Sequence, residues 1–342
     1  MVTEAPPFWW QPADWRAAAL YPVSAIYGLV AGRRMEAARR EKLDLPVLCI
    51  GNLTVGGAGK TPVAIAMAKA AAAAGHRPGF LSRGHGGSSR KPHLVDARHD
   101  SARHVGDEPL LLAAHAPVAV TPDRAAGAKL LIEAGCDFLI MDDGFQSAQL
   151  HFDFALLVVD ARRGIGNGHI IPAGPLRAPL VGQLRHANAV LKMGDGHAAD
   201  AVIRRAARAA KPVLEARAVP RDTERLAGRR LLAFAGIGDP QKFFDTVGEA
   251  GGEVSISRAF PDHHPYRDEE LADLSGAAGS AGLDLVTTAK DAARLRHGTA
   301  AAQAFLNHLH VLEIETLFEP ESVPERIVSQ TVAAFRERRL TF

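Results

Sequence analysis

A short apolar run, Leu45–Gly51 (LPVLCIG), leads into Thr54–Thr61 (TVGGAGKT), and an alanine-rich stretch follows from Thr61 to Ala74. Nothing else in the chain narrows the fold as far. The run is continuously apolar rather than alternating, which suits a parallel strand buried on both faces. Pro62 fits the first turn of a helix, and Gly75 ends that helix. A strand, a glycine-rich loop and a helix in this order are the context of the Walker A phosphate-binding loop. The glycines let backbone N–H groups turn toward phosphate oxygens, and the helix N-terminus adds positive partial charge. Thr54, Val55, Gly56, Gly57, Ala58, Gly59, Lys60 and Thr61 are the expected nucleotide-binding residues. Lys60 would contact the β- and γ-phosphates, and the Thr61 hydroxyl would hold Mg2+. The strict motif has glycine where Thr54 stands.

Apolar runs and helical stretches then alternate. Gly79–Ser82, Val118–Val120, Phe138–Met141, Phe154–Val159 and Ala189–Lys192 read as strands; Leu110–Ala114 and Arg124–Ala134 read as helices. This rhythm predicts a doubly wound, mostly parallel sheet of the P-loop type. A polar, basic stretch at 216–230 marks a change, after which Leu231–Ile237, Leu283–Thr288 and His310–Ile314 read as strands. Pro240–Ala250 and Pro324–Arg338 read as helices. The expected division is an N-terminal segment at 1–40, a P-loop domain at 41–218 and a smaller α/β domain at 219–342 that closes over the site. A length of 342 residues agrees with about two domains. With 40 Lys+Arg against 38 Asp+Glu, the net charge of +2 is too balanced for a chain whose main partner is a nucleic acid. Cys49 and Cys136 are too few for a disulfide scaffold or a zinc cluster and read as buried thiols.

The N-terminus stands apart. Trp9, Trp10 and Trp15 are the only tryptophans, and Tyr21 and Tyr27 follow. Ala17–Gly32 is apolar apart from Ser24, and Arg33, Arg34, Arg39, Arg40 and Lys42 come next. The run is short of the about 20 residues that span a bilayer. Aromatic residues favour the headgroup region and basic residues favour anionic lipid, so an amphipathic helix lying on a membrane surface is expected. The other reading is a helix packed on the domain.

Phe138–Met141 ends in Asp142 and Asp143, a Walker B-like arrangement at the sheet edge where such folds bind ligands. One of these carboxylates is expected on Mg2+. No Asn-Lys-x-Asp string occurs, which favours ATP over GTP. The same edge is expected to carry Gly106–Pro109 (GDEP), Thr121–Arg124 (TPDR) and the loop Asn167–Arg177. In the second domain, Phe260–Tyr266 (FPDHHPY) is a polar, aromatic loop.

Taken in order, these strings, with Ser82–Gly84 (SRG), Asp142–Gln146 (DDGFQ) and Thr287–Asp291 (TTAKD), resemble the tetraacyldisaccharide 4′-kinases from about Trp15 to Leu295. The resemblance implies transfer of the γ-phosphate of ATP to the 4′-hydroxyl of an acylated glucosamine disaccharide 1-phosphate, giving lipid IVA. It implies ATP and Mg2+ as cofactors and work at the cytoplasmic face of the bacterial inner membrane. The anionic membrane surface is the expected partner besides the substrate; no nucleic acid or protein partner is expected. Asp107 matches the position proposed for the base that accepts the hydroxyl proton, and His263 matches its partner. The other reading of Asp107 is a helix N-cap, and that of His263 a surface loop histidine. Thr61, Asp142, Asp143 and Glu108 form the expected metal shell. Arg83, Arg124 and Arg177 are candidates for phosphate contacts unless they are solvated surface arginines, and Gln146 and Asn167 for sugar contacts. Three residues depart from the family pattern: Ala178 replaces an acid after PLR, Ser147 a histidine, and His85 a tyrosine. The missing acid increases the burden on Glu108, Asp142 and Asp143. A nucleotide-gated binding ATPase and a soluble small-molecule kinase stay open as alternatives. The first leaves the GDEP and DHH loops without a role, and the second the aromatic N-terminus.

Overall fold

The computed structural model describes residues 5–57 and 59–340. Ala58, one of the expected nucleotide-binding residues, lies outside them. In chain order the first half comprises helix α1 (Trp15–Ala37), β1 (Val47–Asn52), α2 (Lys60–Ala73), β2 (Pro78–Ser82), β3 (His93–Leu94), α3 (Ala102–Val105), α4 (Asp107–Ala113), β4 (Val118–Val120), α5 (Arg124–Glu133), β5 (Phe138–Asp142) and β6 (Phe154–Asp160). Then come α6 (Leu180–His186), β7 (Ala189–Met193), α7 (Asp200–Arg208), β8 (Val213–Pro220), β9 (Arg230–Ala235), α8 (Pro240–Glu249), β10 (Glu253–Ala259) and α9 (Asp268–Ala281). The last elements are β11 (Asp284–Thr288), α10 (Ala289–Arg296), α11 (Ala300–Leu306), β12 (Leu309–Leu312), β13 (Ile314–Glu319) and α12 (Val323–Leu340).

One sheet of nine strands runs β13-β8-β7-β6-β1-β5-β2-β4-β3. Its seven inner strands are parallel, while β13 and β3 pair antiparallel at the edges. β1, β5 and β6 are buried along their whole length. That is why their sequences are continuously apolar. β1 lies between β5 and β6, so the chain reverses direction of winding there. A crevice opens at the carboxyl ends of the strands at such a point.

A second, four-stranded parallel sheet, β10-β9-β11-β12, has its own core around Leu232, Phe234, Leu274 and Phe305. Its strands lie within residues 230–312, which corrects the expected 219–342. The run read as one strand, His310–Ile314, is two, broken at Glu313: β12 joins the small sheet and β13 returns to the large one beside β8. Phe318, Val323, Ile327 and Val328 then bury against the core of the large sheet. The small domain is thus an insertion between β8 and β13.

α1 packs on the large domain and exposes apolar surface at the same time. Ala17, Ser24, Gly28 and Met35 face inward. Ser24 Oγ donates to Ile170 O at 2.8 Å and accepts from Ala173 N at 2.9 Å. A Cβ on Gly28 would stand 2.7 Å from Ile170 Cδ1, so a larger residue there would have to push that side-chain tip aside. Trp15, Tyr21, Ile26, Leu29 and Val30 are exposed. The helix is therefore amphipathic in an unusual sense, with small residues inside, large apolar ones outside, and exposed Arg33 and Arg34 near its end. Trp9, by contrast, is buried, and its Nε1 donates to Pro172 O at 3.0 Å. Among the described residues no helix is long and apolar enough to cross a membrane.

Candidate functional site

β1 delivers the glycine-rich loop to the crevice. Gly56 and Gly59 have φ of 102° and 80°, a region that glycine enters without the Cβ clash other residues meet. Asn52 Nδ2 donates to Gly56 O at 3.1 Å and holds the turn. The segment Asn167–Arg177 straps the loop from outside. Val55 N donates to Pro175 O at 2.9 Å, and Arg177 Nε donates to Thr54 O at 3.0 Å. Thr54 and Val55 are thus braced by protein. Beyond this brace Gly56 and Gly57 are exposed, and Thr61 is buried in the first turn of α2.

The two aspartates after β5 differ in environment. Asp143 is gripped by Arg177 through both carboxylate oxygens, at 2.7 and 3.1 Å, and Lys60 Nζ lies 3.5 Å away. Burial alone would raise its pKa, but Lys60 and Arg177 hold the carboxyl well below the usual range. Asp142 is buried, and its Oδ1 has no partner among the described residues. Burial, reinforced by the charge of Glu108, pushes its pKa up to about 7. A buried carboxylate with a free oxygen is costly unless a cation meets it. It is the donor that a hard, oxygen-seeking divalent ion takes.

Asp107 and His263, from different sheets, come together here. Asp107 opens α4 and is 2% exposed; His263 Nδ1 lies 3.2 Å from its Oδ1. Its other oxygen accepts from Arg294 Nη2 at 2.5 Å. Burial opposes the charge on Asp107, but the His263 hydrogen bond and the charges of Lys290 and Arg294 outweigh it, so the carboxyl stays far below its ordinary range. Reciprocally, the hydrogen bond to Asp107 raises the pKa of His263 against the effect of burial. Asp107 is also the first-turn acid of α4, but its side chain does not cap the helix in the usual sense: Oδ1 accepts from the neighbouring Glu108 N at 3.1 Å.

Arg294 and Lys290 were not singled out by sequence. They lie four apart on α10, one turn, and meet the adjacent acids of α4: Lys290 Nζ is 2.5 Å from Glu108 Oε1. Lys290 is the main cause of the lowered pKa of Glu108. Arg294 is anchored from behind by Asp291 at 2.6 Å and by Gly236 O at 2.7 Å. Asp291 is fully buried and also accepts from Tyr266 at 2.8 Å and Thr288 at 2.6 Å. Two basic residues at helical spacing, just after a strand of the small domain, are the signal that could have found the pair.

The remaining expected residues divide. Arg83 is exposed after β2, with no ion-pair partner among the described residues. Arg124 does not project from a loop as expected. It is the first residue of α5, 3% exposed, and its Nη1 has no hydrogen-bond partner among the described residues. Burial lowers its pKa, while the charges of Asp143 and Asp142 oppose that shift. Gln146 and Asn167 are turned inward rather than toward a sugar. Gln146 Nε2 donates to Asn52 O at 2.8 Å and Gln183 Oε1 at 2.9 Å. Asn167 closes its own loop through Ala173 O at 2.9 Å and His169 N at 3.1 Å.

A parallel sheet that presents a glycine-rich loop after its central strand, a buried carboxylate with an unpartnered oxygen, and a second buried carboxylate at one edge has the architecture of the P-loop phosphotransferases. A family model described as tetraacyldisaccharide-1-P 4′-kinase matches residues 16–332. Relatives carrying the name tetraacyldisaccharide 4′-kinase include one from Mesorhizobium japonicum, 65% identical over 99% of both chains. Another, from Rhizobium meliloti, is 56% identical over 99% of this chain and 98% of its own. The crystal structure of the "apo" form of LpxK from Aquifex aeolicus in complex with ATP superposes with a TM-score of 0.71 at 25% identity, covering 92% of this chain and 99% of that one. The chain belongs to the tetraacyldisaccharide 4′-kinase family.

Proposed function

We propose that this chain transfers the γ-phosphate of ATP to the 4′-hydroxyl of tetraacyldisaccharide 1-phosphate, forming lipid IVA on the way to lipid A and lipopolysaccharide. The observation that carries the residue assignment is the contact at 3.2 Å between buried Asp107 and half-buried His263, at the same sheet edge as the glycine-rich loop.

The amides from Gly56 to Thr61 and the N-terminus of α2 receive the triphosphate, and Lys60 exchanges Asp143 for phosphate oxygens. Mg2+, when bound, neutralises charge on the β- and γ-phosphates. Asp142, with its unpartnered oxygen, and the Thr61 hydroxyl are the residues that would hold it. Asp143 and Glu108 are already committed to Arg177 and Lys290. A bond forms between the 4′-oxygen and the γ-phosphorus as the bond to the bridging oxygen breaks and ADP leaves. The hydroxyl proton passes to Asp107. An aspartate held at low pKa is a weak base, which suffices because little proton transfer is needed early in a loose phosphoryl-transfer transition state. His263 and Arg294 fix the orientation of that carboxylate. Arg83, exposed and without an ion-pair partner among the described residues, is available for the substrate's 1-phosphate.

The exposed apolar face of α1 and the basic residues after it would seat the enzyme on the cytoplasmic face of the inner membrane, peripherally, beside its acylated substrate. α1 touches the strap at Ile170 and Ala173, and the strap clasps the phosphate loop, so the lipid-facing helix and the nucleotide site share one rigid frame.

The test is phosphoryl transfer with γ-labelled ATP, Mg2+ and the lipid disaccharide in mixed micelles. Label should appear in the lipid, and Asp107→Asn should lower kcat by orders of magnitude while ATP binding persists. ATP hydrolysis without lipid labelling would refute the reaction, and near-wild-type turnover of Asp107→Asn would refute the base.

A further inference from the structure

The segment joining β2 to α4 gathers three metal-ligating side chains well apart in sequence from the phosphate loop. His93 is on β3, Asp100 immediately precedes Ser101, the N-cap of α3, and His104 is within α3. Asp100 lies just outside the short helix α3 and His104 within it, and the turn between them brings the two side chains to the same side as His93. His93 faces them from the strand. Its Nε2 is 2.5 Å from Asp100 Oδ2, and its ring centroid is 5.0 Å from that of His104, with the planes at 72°. One donor atom from each of the three lies within 4.8 Å of the other two. All three are half-buried, enough to exclude some water and still admit an ion.

Two further details bear on ligation. The carboxylate of Asp100 is oriented from behind by Asp96 N, which donates to Oδ2 at 2.8 Å. Such outer hydrogen bonds set the direction of metal-binding carboxylates. The ring nitrogens of His104 have no hydrogen-bond partner among the described residues. A tetrahedral zinc site with bonds of about 2.0–2.1 Å sets donor atoms about 3.3 Å apart. His93 Nε2 and Asp100 Oδ2, now hydrogen-bonded at 2.5 Å, would have to part slightly to reach that figure around an ion, and His104 offers a ring nitrogen within 4.8 Å of both.

We propose that His93, Asp100 and His104 form a transition-metal site of the zinc class, with water completing the coordination. Two imidazoles and one carboxylate select such ions over Mg2+ and Ca2+, which prefer oxygen alone. The donor set differs in kind from the all-oxygen set at Asp142 and Thr61. An ion here would tie β3 to α3, and α3 runs through Gly106 directly into α4. It would therefore fasten the segment that leads to Asp107 without touching the reacting groups.

The probes are Zn2+ and Co2+ alone, titrated into the full-length protein after removal of adventitious metal. Zn2+ affinity would be read by competition with a chromogenic chelator, and coordination by the visible absorption of Co2+. One equivalent should bind. Affinity should fall by about 100-fold or more in His93→Ala and in His104→Ala, and persist in Asp142→Asn. Excess Mg2+ should not displace the ion. Circular dichroism matching wild type establishes that the variants fold, and His→Gln replacements serve where alanine does not. No binding by wild type would overturn the proposal. So would binding unchanged in both histidine variants, which would put the ion elsewhere.

Discussion

Arg294 offers the sharpest test of how the two domains are joined. Its guanidinium is 8% exposed on its side chain and bridges Asp107 of the large domain and Asp291 of the small one. Replacing it with methionine keeps much of the volume and removes the charge. Removing one partner of a buried ion pair costs about 3–5 kcal/mol, mostly because the other charge is stranded. Asp107 would retain His263 and the Glu108 N–H, and Asp291 would retain Gly236, Tyr266 and Thr288. The lower end, about 3 kcal/mol, is therefore expected. Asp107→Asn leaves the guanidinium paired with Asp291 and Gly236 O, and should cost less, about 1–3 kcal/mol. The double variant has no charge at position 107 to strand, though Asp291 still loses its cation, so its loss should fall short of the sum by about 1 kcal/mol or more. Urea unfolding followed by far-UV circular dichroism is the suitable assay. Trp9, Trp10 and Trp15 all belong to the N-terminal part, so fluorescence alone would not follow the small domain. Arg294→Lys should recover only part of the loss, since an ammonium cannot fork between two carboxylates. The KM for ATP should hold while kcat drops. Additivity of the two single variants within about 0.5 kcal/mol would mean the pair carries no coupling and the reasoning is wrong.

Two other outcomes follow from the geometry. Asp142 binds its proton more tightly folded, with a pKa of about 7, than it does unfolded. The metal-free protein should therefore lose stability as pH rises from about 4 to 7. Asp142→Asn abolishes that loss, so its Tm without metal should exceed that of wild type at pH 8 and the gap should shrink at pH 5; an equal gap at both pH values argues against the burial account. On α1, Ile26 and Val30 are 67% and 61% exposed. Ile26→Glu with Val30→Glu should leave Tm nearly unchanged and reduce flotation with anionic vesicles; undiminished flotation would remove α1 from the membrane contact.

The strand, phosphate loop and first helix were legible to within a residue or two. Their signals are local: continuous apolarity, glycines where the backbone turns, a proline in the first helical turn. The Asp142 strand was legible for the same reason. What escaped was the identity of long-range partners. β13 looks like any strand, and nothing within Ile314–Glu319 says that it pairs with β8 rather than with β12. Gln146 and Asn167 look like ligands because they are polar residues in loops near a site. They are consumed instead by backbone groups that irregular segments leave without partners. The motif residues Asp107 and His263 were read correctly as neighbours. The cation that holds Asp107 from the other domain, Arg294, lies three residues past the end of Thr287–Asp291.

The place where the chain leaves the large sheet and the place where it comes back form a single rung of one antiparallel ladder, Pro220 opposite Ile314. A body tethered at two touching points on a single border can swing like a door but has no freedom to slide. A hinge at that rung would lift Arg294, Lys290 and His263 off the acids together.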